Sequence, residues 1–257
     1  MIAQDLALQG FIAAAHDVGE AGAACRRTAE AMGFQHFLYG LRIAVSLSQP
    51  RQFVLSGYPQ GWRSHYDEQG FMAIDPVLAR GAVSVLPFGW DEVDRTTPSA
   101  KRLFDDAAVF GLHHGLTVPI HGANGEFGLM SLARLEPLPQ GAARARLFQR
   151  AHWITANIQE RMRQLVLEAA TADEPRLTIR EKECLRHAAQ GLKTSAIAGA
   201  LHIAESTVVY HLNAAERKLG VKKRSHAIAR AVALGAVEPD RFPSRISSSN
   251  LIELAKR

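Results

Sequence analysis

LTIREKECLRHAAQGLKTSAIAGALHIAESTVVYHLNAAERKLGVKKRSHAIARAVALG, residues 177–235, separates into four short helical patterns. Thr178, with Glu181 three residues later, is a capping box that opens the first. Cys184, Leu185 and Ala188 form its apolar face, and Gly191 ends it. Thr194 starts a short helix over 195–201, with Ile197 and Leu201 inward. Four residues later a third begins, and Val208, Leu212, Ala215 and Leu219 recur at helical spacing until Gly220. Ser225 is read as the cap of a last helix over 226–234, closed by Gly235. Two helices joined by a short turn, flanked by two supporting helices, form a helix-turn-helix.

The charge of this segment points to a polyanion. From Arg176 to Arg230 there are eleven Lys/Arg against four Glu, an excess of seven. The chain carries +5 in total, which leaves about −2 for everything else. With Val208, Leu212 and Leu219 buried, Ser206, Tyr210, Asn213 and Arg217 face outward, with Val209 beside them. Such side chains donate, accept or meet a thymine methyl in a major groove. Lys193, Lys218, Lys222, Lys223 and Arg224 are placed to neutralise phosphates, which sets affinity rather than sequence. The candidate DNA contacts are Lys193, Thr194, Ser206, Thr207, Val209, Tyr210, Asn213, Arg217, Lys218 and Lys222. The competing reading is a small bundle with a solvated basic face. His211 reads as a packed residue, and His187, His202 and His226 lack ligand spacing, so no metal site is expected.

Outside this module the chain looks like an ordinary globular protein. It has 257 residues, 47% hydrophobic and 21% charged, enough for two domains. No apolar run reaches membrane-span length. The N-terminus lacks a basic start and has Asp5 early, so it is not read as a signal peptide. Cys25 and Cys184 read as buried thiols of a reducing, cytoplasmic compartment. Residues 1–35 read as helices. Extended segments are expected at 37–43, 52–56, 83–87, 115–120 and 127–132, with Asn124-Gly125 as a hairpin turn. Helices are expected from Pro59 through Trp62 and Tyr66, over 77–81, over 98–110, and from about 141 to 170. The first part is therefore α+β, helices with an antiparallel sheet. Periodicity fails over 169–176, which contains Pro175, so a linker is placed there. In the tail 238–257, the stretch 238–250 reads as poorly ordered, with a short docking helix around Leu251–Leu254 as an option.

One stretch stands apart, YPQGWRSHYDEQGFMAIDPVLARGAVSVLPFGW, residues 58–90. It gathers Tyr58, Trp62, Tyr66, Phe71, Phe88 and Trp90 around Asp75, although aromatics are only 7% of the chain. Tyr58, Trp62 and Tyr66 have four-residue spacing, which places three half-polar rings on one helix face. A core needs their area, whereas a pocket for a small amphiphile needs their polar tips as well. On this stretch alone both readings stand.

The basic module resembles the DNA-binding domain of LuxR-type transcription regulators. The matching residues are Leu177-Thr178, Arg180-Glu181-Lys182-Glu183, Leu185, Gly191, Lys193-Thr194, Ile197-Ala198, Leu201, Ile203, Thr207-Val208, His211, Lys218-Leu219 and Ala227. Two departures are Ala196, where the family has Glu, and Ala204, where a Ser caps the recognition helix. Such a cap contributes about 1 kcal/mol, and Ser206 or Glu205 is expected to replace it. The family also includes phosphorylated response regulators, but residues 1–60 lack a receiver domain's paired acids. From about Phe11 to Arg163 the chain instead resembles the autoinducer-binding domain of quorum-sensing regulators. The markers are Tyr58-Pro59, Trp62, Tyr66, Asp75-Pro76, Pro87-Phe88, Trp90, Gly115, Thr117-Val118-Pro119 and Ser131.

That resemblance implies an N-acyl-homoserine lactone between a five-stranded antiparallel sheet and helices, an α/β/α sandwich joined to a four-helix, all-α domain. It implies that Asp75 accepts from the ligand amide, Trp62 donates to the lactone carbonyl, and Tyr58 and Ser131 donate to the amide carbonyl. Tyr66 and Trp90 wall the head group, with Phe88 in the same set. Leu38, Gly40, Val77, Phe127, Gly128 and Leu129 line the acyl tunnel. Arg42 either points outward or shortens the tunnel and favours a polar substituent. The domains expected are 1–168 for ligand and dimerisation, 177–237 for DNA, and the tail. The expected partners are double-stranded DNA, the lactone, a second copy joined through the helix around 141–168, and RNA polymerase. No cofactor is expected, only the signal ligand. Half-sites of a palindrome are expected about 10 bp apart. The alternatives are an unpaired regulator answering a foreign lactone or a non-lactone molecule, a DNA binder whose first domain is purely structural, and a lactone-processing enzyme. The last is opposed by the lack of a His/Asp metal cluster, of a nucleophile elbow, and of a His–acid pair near Ser131 in sequence.

Overall fold

A computed structural model describes residues 2–43, 51–122, 125–169 and 177–237. The chain divides into two compact units, meeting in sequence at residues 172 and 173. The first holds helices α1 (Ile2–Ala13) and α2 (Val18–Ala31), then strands β1 (His36–Ile43) and β2 (Arg51–Ser56). Three short helices follow around a two-residue strand: α3 (Trp62–Glu68), α4 (Pro76–Gly81), β3 (Phe88–Gly89) and α5 (Pro98–Val109). The unit closes with β4 (His114–His121), β5 (Phe127–Arg134) and α6 (Gly141–Glu168).

The strands make one antiparallel sheet in the order β2-β1-β5-β4-β3. Both faces are covered, so central β4 and β5 are buried almost end to end, as sheets shielded on both sides must be. In β1 the alternate residues Phe37, Tyr39, Leu41 and Ile43 are buried. They join Ile154, Ile158 and Met162 of α6 and apolar residues of α1 and α2 in one core. On the opposite face a smaller aromatic core gathers Trp62, Phe71, Phe88, Trp90 and Phe104 under α3 to α5. This is the expected α/β/α sandwich.

Two local expectations fail. Pro59 is not in the first turn of α3. The helix starts at Trp62, after left-handed Gly61, so Tyr58 lies outside it and only Trp62 and Tyr66 share its face. Nor does the third strand cover 83–87. It is confined to Phe88–Gly89. Val83, Val85 and Leu86 are exposed, and the Ser84 hydroxyl folds that segment into a local turn by accepting from Leu86 N and donating to Leu86 O.

The second unit contains α7 (Ile179–Ala189), α8 (Thr194–Leu201), α9 (Glu205–Lys218) and α10 (Arg224–Ala233). Its core is Cys184, Leu185, Ile197, Val208, Leu212, Ala215, Leu219, Ala227 and Ala231. The capping box is present: Thr178 Oγ1 accepts from Glu181 N at 3.3 Å, and a Glu181 oxygen accepts from Thr178 N at 2.8 Å. Left-handed His202 (φ 54°) ends α8 and turns the chain toward α9. Other caps differ from expectation. Thr194 and Ser225 lie inside the first turns of α8 and α10, whose caps are Lys193 and Lys223 without side-chain bonds.

Ala204 caps α9 with extended backbone and no side-chain bond, so neither Ser206 nor Glu205 replaces the missing cap at that position. Its φ of −69° and ψ of 149° suit a serine. Ala204→Ser is expected to stabilise this unit by about 1 kcal/mol, read as a higher urea midpoint at unchanged slope. Apart from Ala169, the expected linker lies outside the described residues. So do Asn124 and the whole tail, including 251–254.

Candidate functional site

Between the inner face of the sheet and α3 to α5 lies a cavity of about 530 Å³. Strand parity sets most of what reaches it, although Leu41 and Phe53, of the other parity, also touch it. Leu38, Gly40 and Arg42 alternate with the core residues of β1 and line the cavity, as do Phe127, Leu129 and Ser131 of β5. Gly128 does not, contrary to expectation. Consecutive strand residues point to opposite faces, and a Cβ at Gly128 would meet Gln159 Oε1 on α6 at 1.9 Å. Phe88 is likewise absent from the lining. It is fully buried, with the Arg80 guanidinium 4.6 Å from its ring centre.

One end of the cavity is polar and ordered by hydrogen bonds. Asp75 caps α4, its Oδ1 accepting from Val77 N at 2.7 Å and Leu78 N at 3.4 Å. Its Oδ2 accepts from the Tyr66 hydroxyl at 2.9 Å. Burial raises the Asp75 pKa, and the bonds from Tyr66 and the two amides oppose that rise. Burial, then the charge of Asp75, pushes the Tyr66 phenol far up. Burial also pushes up Tyr58, and the Ser131 hydroxyl nearby offsets part of that rise. Both phenols are therefore neutral donors. Tyr58 and Asp75 are surrounded by protein yet only half-buried, so the surface they expose is cavity wall. The Trp62 ring, 5% exposed, packs on Tyr66, Phe71 and Phe110. Its indole N–H has no acceptor among the described residues.

Trp90 is held differently. Its Nε1 donates to Thr117 Oγ1 at 3.0 Å, and that hydroxyl lies 3.0 Å from Ser131 Oγ. A wall tryptophan and a cavity hydroxyl thus share one bridge. Thr117 is a residue that sequence reasoning named only as a marker. Val54, Leu78, Leu103, Phe104 and Leu112 add to the apolar lining and were also missed. Val54 could have been found, since it pairs with Gly40 across β1 and β2. Among the described residues no group of His, Cys, Asp or Glu is placed to hold a metal, and no helix is long and apolar enough to cross a membrane. Cys25 and Cys184 are buried free thiols.

In the second unit, Ser206, Val209, Tyr210, Asn213 and Arg217 are all exposed along one stripe of α9. Lys193 and Lys222 are exposed, while Thr194 and Thr207 are half-buried. Lys218 is different. Its ammonium donates to both oxygens of buried Glu181 at 2.9 Å. Burial raises the Glu181 pKa, but Lys218 and the Thr178 amide outweigh it and hold the carboxyl below its usual value. Lys218 therefore fastens α9 to α7. Arg224 also has a partner, Thr194 Oγ1 at 3.3 Å.

Residues 17–162 match the family model described as the autoinducer binding domain, and residues 175–231 that of bacterial regulatory proteins of the luxR family. The chain is 33% identical to the transcriptional activator VanR of Vibrio anguillarum over 210 residues, 81% of this chain and 87% of VanR. It is 36% identical to the quorum sensing-dependent transcriptional regulator RpaR of Rhodopseudomonas palustris over 208 residues, 80% of this chain and 83% of RpaR. Among solved structures, SdiA of Escherichia coli aligns with a TM-score of 0.77 at 23% identity, covering 92% of this chain and 99% of its own. SdiA in complex with octanoyl-rac-glycerol gives 0.75 at 23%, covering 91% and 95%. These two likenesses support the fold alone. The chain belongs to the LuxR family of bacterial regulators, proteins of transcription rather than catalysis, and carries an autoinducer-binding domain ahead of its helix-turn-helix domain.

Proposed function

We propose that this regulator binds an N-acyl-homoserine lactone in the cavity of its first unit and a palindromic promoter site as a homodimer through its second. The observation that carries the ligand reading is the donor and acceptor set at the polar end. Asp75 keeps acceptor capacity beyond its bonds to Tyr66 and α4, since each carboxylate oxygen has two lone pairs. Beside it stands the unpaired Trp62 N–H, with Tyr58 and Ser131 hydroxyls also on the wall. An amide between two carbonyls complements that set: its N–H meets Asp75, one carbonyl meets Trp62, and the other meets the hydroxyls. The apolar lining takes the acyl chain.

The exposed stripe of α9 supports major-groove reading, with Lys193 and Lys222 on phosphates. Trp153, 58% exposed on α6, supports pairing of two copies along that helix. RNA polymerase is the natural further partner of such a regulator, and the cytoplasm its place. Purified protein with excess lactone is expected to unfold at a higher temperature than without it. A ligand at a hundred times its Kd stabilises the folded state by about 2.7 kcal/mol. Equal melting temperatures across a series of acyl lengths would sink the reading. Gel shifts on palindromes with half-sites about 10 bp apart, together with native mass spectra, test the dimer.

A further inference from the structure

The register of the sheet defines a second polar end to the cavity. Across β5, β1 and β2 the inward-facing residues form three rungs: Ser131–Leu38–Ser56, Leu129–Gly40–Val54 and Phe127–Arg42–Gln52. The first is polar on both sides and belongs to the head-group end. The second is apolar, and a Cβ built at Gly40 meets nothing within 4 Å, so this rung leaves open width over the strand. The third is polar again. It lies four residues from the first, about 13 Å along the strand. An extended chain anchored at Ser131 and running over Gly40 therefore ends beside Arg42 and Gln52.

Arg42 has little to hold it. Its only partner among the described residues is Gly125 O, at 3.5 Å from Nη2, the limit for such a bond. No carboxylate there is within ion-pair distance of it. Glu126 also lines this end, but its carboxylate already accepts from Gln159 Nε2 at 2.5 Å. A plain methyl terminus here gives the guanidinium no partner, whereas an oxygen gives it an acceptor for a charge-assisted hydrogen bond.

We infer that the Arg42–Gln52 rung is a tail-end specificity subsite, and that the ligand is an acyl-homoserine lactone whose chain carries a hydroxyl oxygen at its far end. This rests on the lactone reading of the head-group end. The test pairs straight-chain N-alkanoyl-homoserine lactones with their ω-hydroxy counterparts of equal length, using thermal shift and a reporter dose response on the full-length protein. At the best length the ω-hydroxy compound is expected to bind at least tenfold more tightly, as for a hydrogen bond to a charged group. Arg42→Leu is expected to bring that ratio to about one, with Gln52→Leu lowering it partway. Arg42 is exposed, so its replacement does not threaten the fold. Equal or tighter binding of the alkanoyl compound by the unaltered protein would overturn the subsite while leaving the lactone reading intact. Binding of neither series would overturn both.

Discussion

Asp75→Asn is expected to raise the lactone concentration needed for half-maximal reporter response by about 10- to 150-fold. The range follows from the 1.5–3 kcal/mol net contribution of a hydrogen bond to a charged group, at about 1.4 kcal/mol per decade. The substitution is sharp because of what it preserves. Asp75 accepts from Val77 N and Leu78 N through Oδ1, and an asparagine oxygen caps a helix about as well. The start of α4 therefore survives. What changes is the other end of the side chain. An amide NH2 replaces Oδ2, so it faces the Tyr66 hydroxyl and the ligand N–H, which are both donors. Tyr66 can rotate its hydroxyl to accept, but the ligand amide cannot. The burial that raises the Asp75 pKa also keeps water from filling the gap. Two measurements decide it: a lactone dose response and a urea melt without lactone. A displaced response with an unshifted melt supports the amide contact. An unchanged dose response in folded protein would mean that the ligand lacks that N–H or lies elsewhere.

The second unit was largely legible from its sequence because its cues are local. Thr178 and Glu181 sit three residues apart, and the apolar positions of α9 recur every three or four. Charge was less legible, since a count of lysines does not say which have partners. Charge alone groups Lys218 with the phosphate contacts, yet it is tied to Glu181, 37 residues away in sequence. The residue that makes the capping box also makes the ion pair, and only the fold brings α7 and α9 together. The same limit governs the cavity. The resemblance places Phe127, Gly128 and Leu129 all in the tunnel, but their side chains alternate and only the first and third line the cavity. Applied to β1, alternation settles Arg42: it shares a face with Leu38 and Gly40 and lines the cavity. The task of Thr117 is hidden in the sequence, because its bond to Trp90 spans 27 residues that no short motif records.

Gly115→Ala is expected to destabilise the first unit by about 3 kcal/mol, at the upper end of the usual cost of overpacking, and to weaken lactone binding as well. A Cβ at this position would lie 2.2 Å from two atoms of the Trp90 indole. The ring has little freedom to move away. Its Nε1 is bonded to Thr117, it packs at a tilt of 58° on Phe104 with 6.1 Å between ring centres, and the Trp90 backbone carbonyl accepts from Arg95 at 2.8 Å. Phe104 is held in turn by the Arg95 guanidinium, 3.7 Å from its ring centre. On the other side Gly115 belongs to β4, whose partner Ala133 on β5 is fully buried. Either the strand or the indole must shift, and a shifted indole breaks the bridge through Thr117 to Ser131 and deforms the cavity wall. The urea midpoint should fall, and lactone affinity should fall further than in a core variant of equal cost distant from the cavity. A double variant with Trp90→Phe separates the clash from general strand damage. Removing part of the ring should make the glycine substitution milder, so the two costs should add to less than their sum. Full additivity would locate the damage in β4 itself and leave Trp90 outside the explanation.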